Sequence, residues 1–223
     1  MTTISTRQIV NDDQPLQQNA VAPLPDYREL SFELIGRRLP GDHSYGLYSA
    51  LSQLCPALHK ADDIRIRAIA GTPKENGVIG LNRNSRLYLR LPAEKVSWFN
   101  RLAGRSLTIG NYSLQLGMAH LSFLQPASQL RARLVLIKGF QDPDAFLDAA
   151  IRQLKALSIQ GQVRLLPNQE GNPRRKTLKV KRHTLVGYGM DVSRLSPKDS
   201  LQLQIFGIGG KQKMGCGVFV PKK

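Results

Sequence analysis

The sequence predicts an α+β protein of two tandem ferredoxin-like units with antiparallel sheets, ending in a glycine-rich loop. Three observations lead there. Between Tyr27 and Leu116 the apolar positions switch between a period of two, which marks a half-buried strand, and a helical period, in the order β-α-β-β-α-β. A comparable element order recurs after residue 121, without sequence identity between the halves. The chain has 223 residues, 41% of them hydrophobic, enough for one large or two small cores.

Residues 1–25, with Asn11-Asp12-Asp13-Gln14 and the Pro23/Pro25 pair, hold no sustained period and read as a flexible leader. Residues 26–120 form the first domain and 121–223 the second. In the first, Leu30, Phe32 and Leu34 alternate with Glu29, Ser31 and Glu33 along a strand from Glu29 to Ile35. Leu39-Pro40-Gly41 makes a turn, after which Asp42 or Ser44 can cap a helix. Leu47, Leu51, Leu54 and Leu58 supply its apolar stripe, and Cys55 on the same face reads as core. Ile64–Ile69 and Leu87–Leu91 alternate as strands. Pro92 suits the first turn of a helix carrying Val96, Phe99 and Leu102, which Gly104 closes. Strands around Leu107–Ile109 and Tyr112–Leu116, joined by Gly110-Asn111, end the unit.

The second domain begins with a strand over Leu130–Ile137 and a helix over Pro143–Leu157, with Phe146, Ala150 and Leu154 on one face. Gln162–Leu166 reads as a strand and Pro167–Pro173 as a loop. Leu178–Gly187 and Leu201–Ile205 read as further strands, the latter because Leu201, Leu203 and Ile205 alternate with Gln202 and Gln204.

The net charge of +16 is the field of a protein that meets a polyanion, either nucleic acid or an acidic surface. Residues 1–120 carry 14 Lys and Arg against 10 Asp and Glu, whereas residues 121–223 carry 18 against 6, so the second half should hold the polyanion surface. Arg174, Arg175, Lys176, Lys179, Lys181 and Arg182 form its densest basic cluster, with no acid among them. A strand pair bearing them can lie along a duplex and make phosphate contacts that position RNA without reading its sequence. No apolar run approaches the length of about 18 residues that a membrane span needs, and the polar N-terminus lacks a signal-peptide core. Cys55 and Cys216 cannot form a disulfide framework or a four-ligand zinc site, so a reducing, cytoplasmic compartment is expected, with no membrane partner.

Gly207-Ile208-Gly209-Gly210-Lys211-Gln212-Lys213-Met214-Gly215-Cys216-Gly217 reads as an RNA-binding loop: the glycines permit close backbone approach, and Lys211 and Lys213 supply charge. Gln212 breaks a Walker pattern, and the six residues after Gly217 are expected not to supply the helix of a dinucleotide fingerprint. The four histidines, His43, His59, His120 and His183, show no metal-ligand spacing, so no metal or other cofactor is expected. His43 stands out because it follows Pro40-Gly41 at a helix start, where a phosphate can dock and an imidazole can relay protons. A plain turn or capping role is the alternative. On one continuous helix His59 and Lys60 would lie about 22 Å away, too far to share a phosphate with His43.

The terminal Gly-Ile-Gly and Gly-Cys-Gly, five residues apart, resemble the C-terminal glycine-rich loop of the CRISPR repeat-processing endoribonucleases, the sixth numbered Cas family of the RAMP superfamily. The segment Asp42 to Leu51 resembles that family's first-helix motif, which commonly holds the acid–base histidine. The resemblance covers about residues 27–221 and implies two RRM-like units and metal-independent cleavage of precursor CRISPR RNA within its repeats. The ribose 2′-OH would attack phosphorus, leaving a 2′,3′-cyclic phosphate and a 5′-OH end. It further implies that His43 transfers a proton, that Tyr45 or Tyr48 orients the 2′-OH, and that Lys211 or Lys213 stabilises charge. The glycines Gly207, Gly209, Gly215 and Gly217 would bind the RNA with the basic cluster. Implied partners are the repeat hairpin and the backbone subunits of a type I Cascade complex. The rival implication is a non-catalytic RAMP-like subunit that binds guide RNA.

Overall fold

The computed structural model describes residues 6–10 and 23–222. The first unit contains β2 (Tyr27–Ile35), β3 (Arg38–Pro40), α1 (Ser44–Leu54), α2 (Ala57–Lys60), β4 (Arg65–Ile66), β5 (Thr72–Pro73), β6 (Val78–Gly80), β7 (Arg86–Pro92), α3 (Val96–Asn100), β8 (Ser106–Ile109) and β9 (Tyr112–Phe123), preceded by β1 (Arg7–Ile9). The second contains β10 (Gln129–Val135), α4 (Pro143–Ala156), β11 (Gly161–Leu165), β12 (Arg175–Val180), β13 (His183–Ser193), α5 (Pro197–Phe206) and β14 (Phe219–Pro221).

Both main sheets are antiparallel. One runs β4-β7-β2-β9-β8 and the other β1-β11-β13-β10-β14, with β12 hairpinned onto β13. Numbering each unit's four central strands in chain order, both run 2-3-1-4, so the repeat expected from element order is a repeat of topology. β3, β6 and β5 make a small third sheet. Leu47, Leu51, Leu58 and Phe99 from the first unit's helices bury against Leu30, Phe32, Leu87 and Leu89 of its sheet. In the second unit Phe146, Ala150, Leu154 and Leu203 bury against Leu130, Val163, Met190 and Val192. Burying a side chain of this size contributes about 1.5–3 kcal/mol, so the two cores dominate stability.

Several expectations change. Arg7–Ile9, inside the segment read as a leader, pairs with β11 and buries Ile9 in the second unit's core. Three residues are too few to show a period. Asn11-Asp12-Asp13-Gln14 lies outside the described residues. The boundary placed after residue 120 falls within β9, which continues to Phe123 because its last residues still pair with Arg28–Leu30 of β2. The strand expected over Ile64–Ile69 is only Arg65–Ile66. The strand expected over Leu178–Gly187 is two strands, β12 and β13, turning at Lys181-Arg182.

Leu201–Ile205 is not a strand but part of α5. Pro197 occupies its first turn, and Ser196 caps it by accepting from the Asp199 N–H. The alternation misled because Gln204, although polar, is buried: its side-chain amide donates to the Gln125 carbonyl at 2.8 Å. The stripe through Leu58 is also interrupted. Pro56 lacks an N–H and disfavours helical backbone at Cys55, which takes φ −135° and ψ 86°, so α1 stops at Leu54 and the chain doubles back into α2.

The units are joined through Arg90, a fully buried side chain on β7. It pairs with Glu29 at 3.0 Å and donates to the carbonyls of Gln204 at 2.6 Å and Phe219 at 2.8 Å across the junction.

Candidate functional site

The glycine-rich segment leaves α5 at Phe206 and crosses from the second unit onto the first. Its backbone is held by N–H donations from Gly209 to the Gln153 side-chain oxygen (2.7 Å), Gly210 to the Leu136 carbonyl (2.8 Å) and Gly217 to the Leu134 carbonyl (2.7 Å). Cys216 packs with Leu134, Leu136 and Leu178 in a small core beneath the segment, and burial pushes its thiol up to about 12. The glycines serve this crossing. A Cβ on Gly217, at φ 65°, would stand 1.9 Å from the Ile208 carbonyl oxygen, and one on Gly207 2.2 Å from that of Gly217. Gly209 backs onto Leu136 and Gly215 onto Ala68 in the same way. At Gly207, Gly209, Gly215 and Gly217 a Cβ would meet protein backbone, whereas at Gly210 it would meet open space.

The two lysines of the segment differ. Lys211 is exposed, at φ 62°. Lys213 is turned inward and its ammonium donates to the carbonyls of Leu58 (3.3 Å) and His59 (3.0 Å) and pairs with Asp62 (3.4 Å). It caps the end of α2 and fixes the backbone that carries His59.

His43 lies in the turn before α1 and is only 4% exposed. Its Nδ1 is 2.9 Å from the Pro40 carbonyl and donates to it, which leaves Nε2 to accept the Ile69 N–H at 3.0 Å. Burial pushes its pKa below the ordinary imidazole value; the Pro40 bond opposes this and nearby Arg133 adds to it. The α1 N-terminus is covered as well, since Asp42 accepts the Lys179 N–H of β12 at 3.3 Å. The phosphate-docking, proton-carrying role expected of His43 thus meets a filled turn in which both ring nitrogens are engaged.

Tyr45 and Tyr48 project from α1 on a more open side. The Tyr48 hydroxyl is 2.8 Å from Nδ1 of the exposed His59, and the rings stack with centroids 6.4 Å apart. The break at Pro56 makes this contact possible. Tyr45, Tyr48, Ser49, His59 and Lys60 line a hollow of about 480 Å³. A neighbouring hollow of about 460 Å³, walled by Tyr48, Arg65 and Lys211–Met214, shares Tyr48 with it. A third, about 570 Å³ and mostly apolar, lies between the β10 end, the β13 start and the loop, and shares Lys211 with the second.

Along the hairpin, the alternation of β12 sorts the cluster. Arg175 and Lys179 are exposed on the face opposite buried Leu178, and Arg174, Lys181 and Arg182 are exposed beside them. Lys176 lies on the inner side, where its ammonium donates to the Arg133 carbonyl at 3.1 Å; burial and then Arg133, Arg174 and Arg131 hold its pKa down. Arg175 donates to the Tyr188 hydroxyl at 3.2 Å. Three further basic residues escaped the sequence reading: Arg67, Arg131 and Arg133 join Lys176 in lining a cleft of about 290 Å³ beside Gly215. Alternation in Leu130-Arg131-Ala132-Arg133-Leu134 puts both β10 arginines opposite the core and was the available clue. Among the described residues, no three His, Cys, Asp or Glu side chains come together as ligands for a metal ion.

Two tandem ferredoxin-like units with antiparallel sheets define the class of fold. Solved structures share the fold: a CRISPR-associated Cas6 protein (TM-score 0.63, 13% identity, 89% of this chain and all of that one), a Cas6-related protein from Pyrococcus furiosus (0.62, 13%, 87% and 98%), and a RAMP protein described as binding different RNA substrates (0.57, 13%, 86% and 98%). The family model "Cas6 Crispr" matches residues 29–223. A CRISPR-associated endonuclease Cas6 from Myxococcus xanthus is 35% identical over 193 residues, covering 86% of this chain and 80% of that one. The chain belongs to the Cas6 family of CRISPR-associated proteins.

Proposed function

We propose that the chain is a metal-independent endoribonuclease that cuts precursor CRISPR RNA within its repeats and then holds the repeat hairpin in a Cascade-type complex. The observation that carries the reading is a hydrogen-bonded tyrosine–histidine pair lining a hollow, on a chain whose β12–β13 hairpin exposes Arg175, Lys179, Lys181 and Arg182. The relative from Myxococcus xanthus is named an endonuclease, which supports the same activity here.

The chemistry requires three acts: removing the proton of a ribose 2′-OH, stabilising a phosphorane, and protonating the departing 5′ oxygen. The O2′–P bond forms as the P–O5′ bond breaks, giving a 2′,3′-cyclic phosphate and a 5′-OH. Lys211 is exposed and available to developing charge, whereas Lys213 acts by holding the loop against α2. Tyr45 and Tyr48 line the hollow where a 2′-OH would be oriented. Arg174, Arg175, Lys179, Lys181 and Arg182 face solvent and suit phosphate contacts. The engagement of both His43 nitrogens favours the rival reading, a guide-RNA-binding subunit without cleavage, unless another group moves the proton.

Repeat RNA incubated with the protein in EDTA separates the two. Scission to a cyclic phosphate end is the expected result; tight binding with intact RNA leaves the binding-subunit reading standing.

A further inference from the structure

We infer that His59, hydrogen-bonded to Tyr48, is the proton-transferring residue of this chain, and that His43 holds the turn before α1. The inference rests on the endoribonuclease reading and deepens it. Of the two imidazoles at the ends of the α1–α2 segment, only His59 presents a ring nitrogen to solvent: its Nδ1 meets Tyr48 and its Nε2 has no hydrogen-bond partner among the described residues. His43 offers none, since Pro40 and Ile69 occupy both.

The surroundings of His59 are built. Pro56 turns the chain so that α2 returns alongside α1, Lys213 clamps the His59 carbonyl from the terminal loop, and Tyr48 fixes the ring. The hollow also contains Lys60, a cation beside the imidazole where an anionic phosphorane would form, and Lys211 lines the second hollow that shares Tyr48. With Nδ1–H donating to the phenol oxygen, bare Nε2 can accept the 2′-OH proton as the O2′–P bond forms, which makes the ring an imidazolium. As the P–O5′ bond breaks, O5′ takes one proton, from that imidazolium or from water that the imidazolium reprotonates, so the ring ends neutral and no other reactant is consumed. Tyr48 is then a positioning residue for the ring.

The test uses single-turnover cleavage of the repeat RNA, and binding to a repeat made 2′-deoxy at the mapped cut. His59→Ala is expected to cleave about 10²–10⁴-fold more slowly, the usual scale of lost acid–base catalysis, while affinity stays within about twofold. His59→Gly should regain activity when free imidazole is added, which a purely structural role would not produce. Tyr48→Phe should slow the wild type and add nothing further in the His59→Ala background. His43→Asn, with its folding checked by thermal melting, should retain cleavage within about tenfold. If the wild type leaves the RNA whole, the endoribonuclease reading falls and this inference with it. If the wild type cuts, the inference alone is overturned by any of three results: His59→Ala cutting within tenfold of it, a loss matched by lost affinity, or a His59→Gly loss that imidazole does not relieve.

Discussion

His43 and His59 show how little a histidine's place in a sequence says about its chemistry. His43 sits where a helix start could bind an anion, yet its proline-glycine turn folds it inward and backbone groups saturate it. Because its folded pKa lies below the ordinary value of 6.5, the unfolded chain takes up the proton first as pH falls. His43 therefore supports the fold above about pH 6.5 and that support drains away below it. Urea midpoints at pH 8 and pH 5 should show this: His43→Gln begins less stable by about 1–3 kcal/mol, from its broken buried hydrogen bonds, and loses less on acidification than the wild type. An equal acid-induced drop in both proteins would deny the buried neutral imidazole. Lys213 is a second residue whose role reverses on folding. A sequence offers it as phosphate charge, but its ammonium is spent on two carbonyls and Asp62. Lys213→Ala should lower the melting temperature more than Lys211→Ala does, whereas Lys211→Ala should cost more RNA affinity.

Elements with long, clean periods were legible: β2 and β7 follow from alternation, and α4 from its apolar stripe and the proline at its start. What misled was each place where a local pattern was overruled by a contact distant in sequence. Gln204 is polar yet buried because Gln125 accepts its amide, so a helix face looked like a strand. The capping sequence Ser196-Pro197-Lys198-Asp199 was the better guide to α5. The Tyr48–His59 pair was hidden by reading one helix through Pro56, although proline is the residue that ends helices. The glycine-rich segment was legible as a special loop, and the structure adds a reason for its glycines: at Gly217 φ is 65° and a Cβ would stand 1.9 Å from the Ile208 oxygen, so the crossing requires glycine there. Gly217→Ala should therefore destabilise the protein by at least about 2 kcal/mol, by strained backbone and a contact that must open. Gly210→Ala, at an open position, should stay within about 1 kcal/mol in the same melting experiment. Comparable losses at both positions would contradict the crossing geometry.

At the scale of the molecule, stability and charge divide the work between the units. Arg90 stitches them: truncation to Ala leaves Glu29 without that partner and two carbonyls without their donor, and is expected to remove about 3–5 kcal/mol. The uneven charge of the sequence forecast which half would carry the cations, and folding then decides which of them remain available. Asp191, buried on β13, pairs with Arg131 at 2.6 Å, Arg164 at 3.2 Å and Lys222 at 3.6 Å, so three positive charges of the second unit share one buried carboxylate. Lys179, Lys181 and Arg182 make no ion pair among the described residues and stand exposed at the hairpin tip. If each neutralises one phosphate, the plot of log affinity against log salt loses about 0.7–0.9 of slope per cation removed. Replacing all three by Ala should flatten it by about 2–3, measured on uncleavable repeat RNA across a salt series. Arg131→Ala should change it less, because that guanidinium is committed to Asp191 within the fold. A triple variant with an unaltered slope would mean that the RNA does not touch the hairpin, and would move the interface to the cleft lined by Arg67 and Arg133.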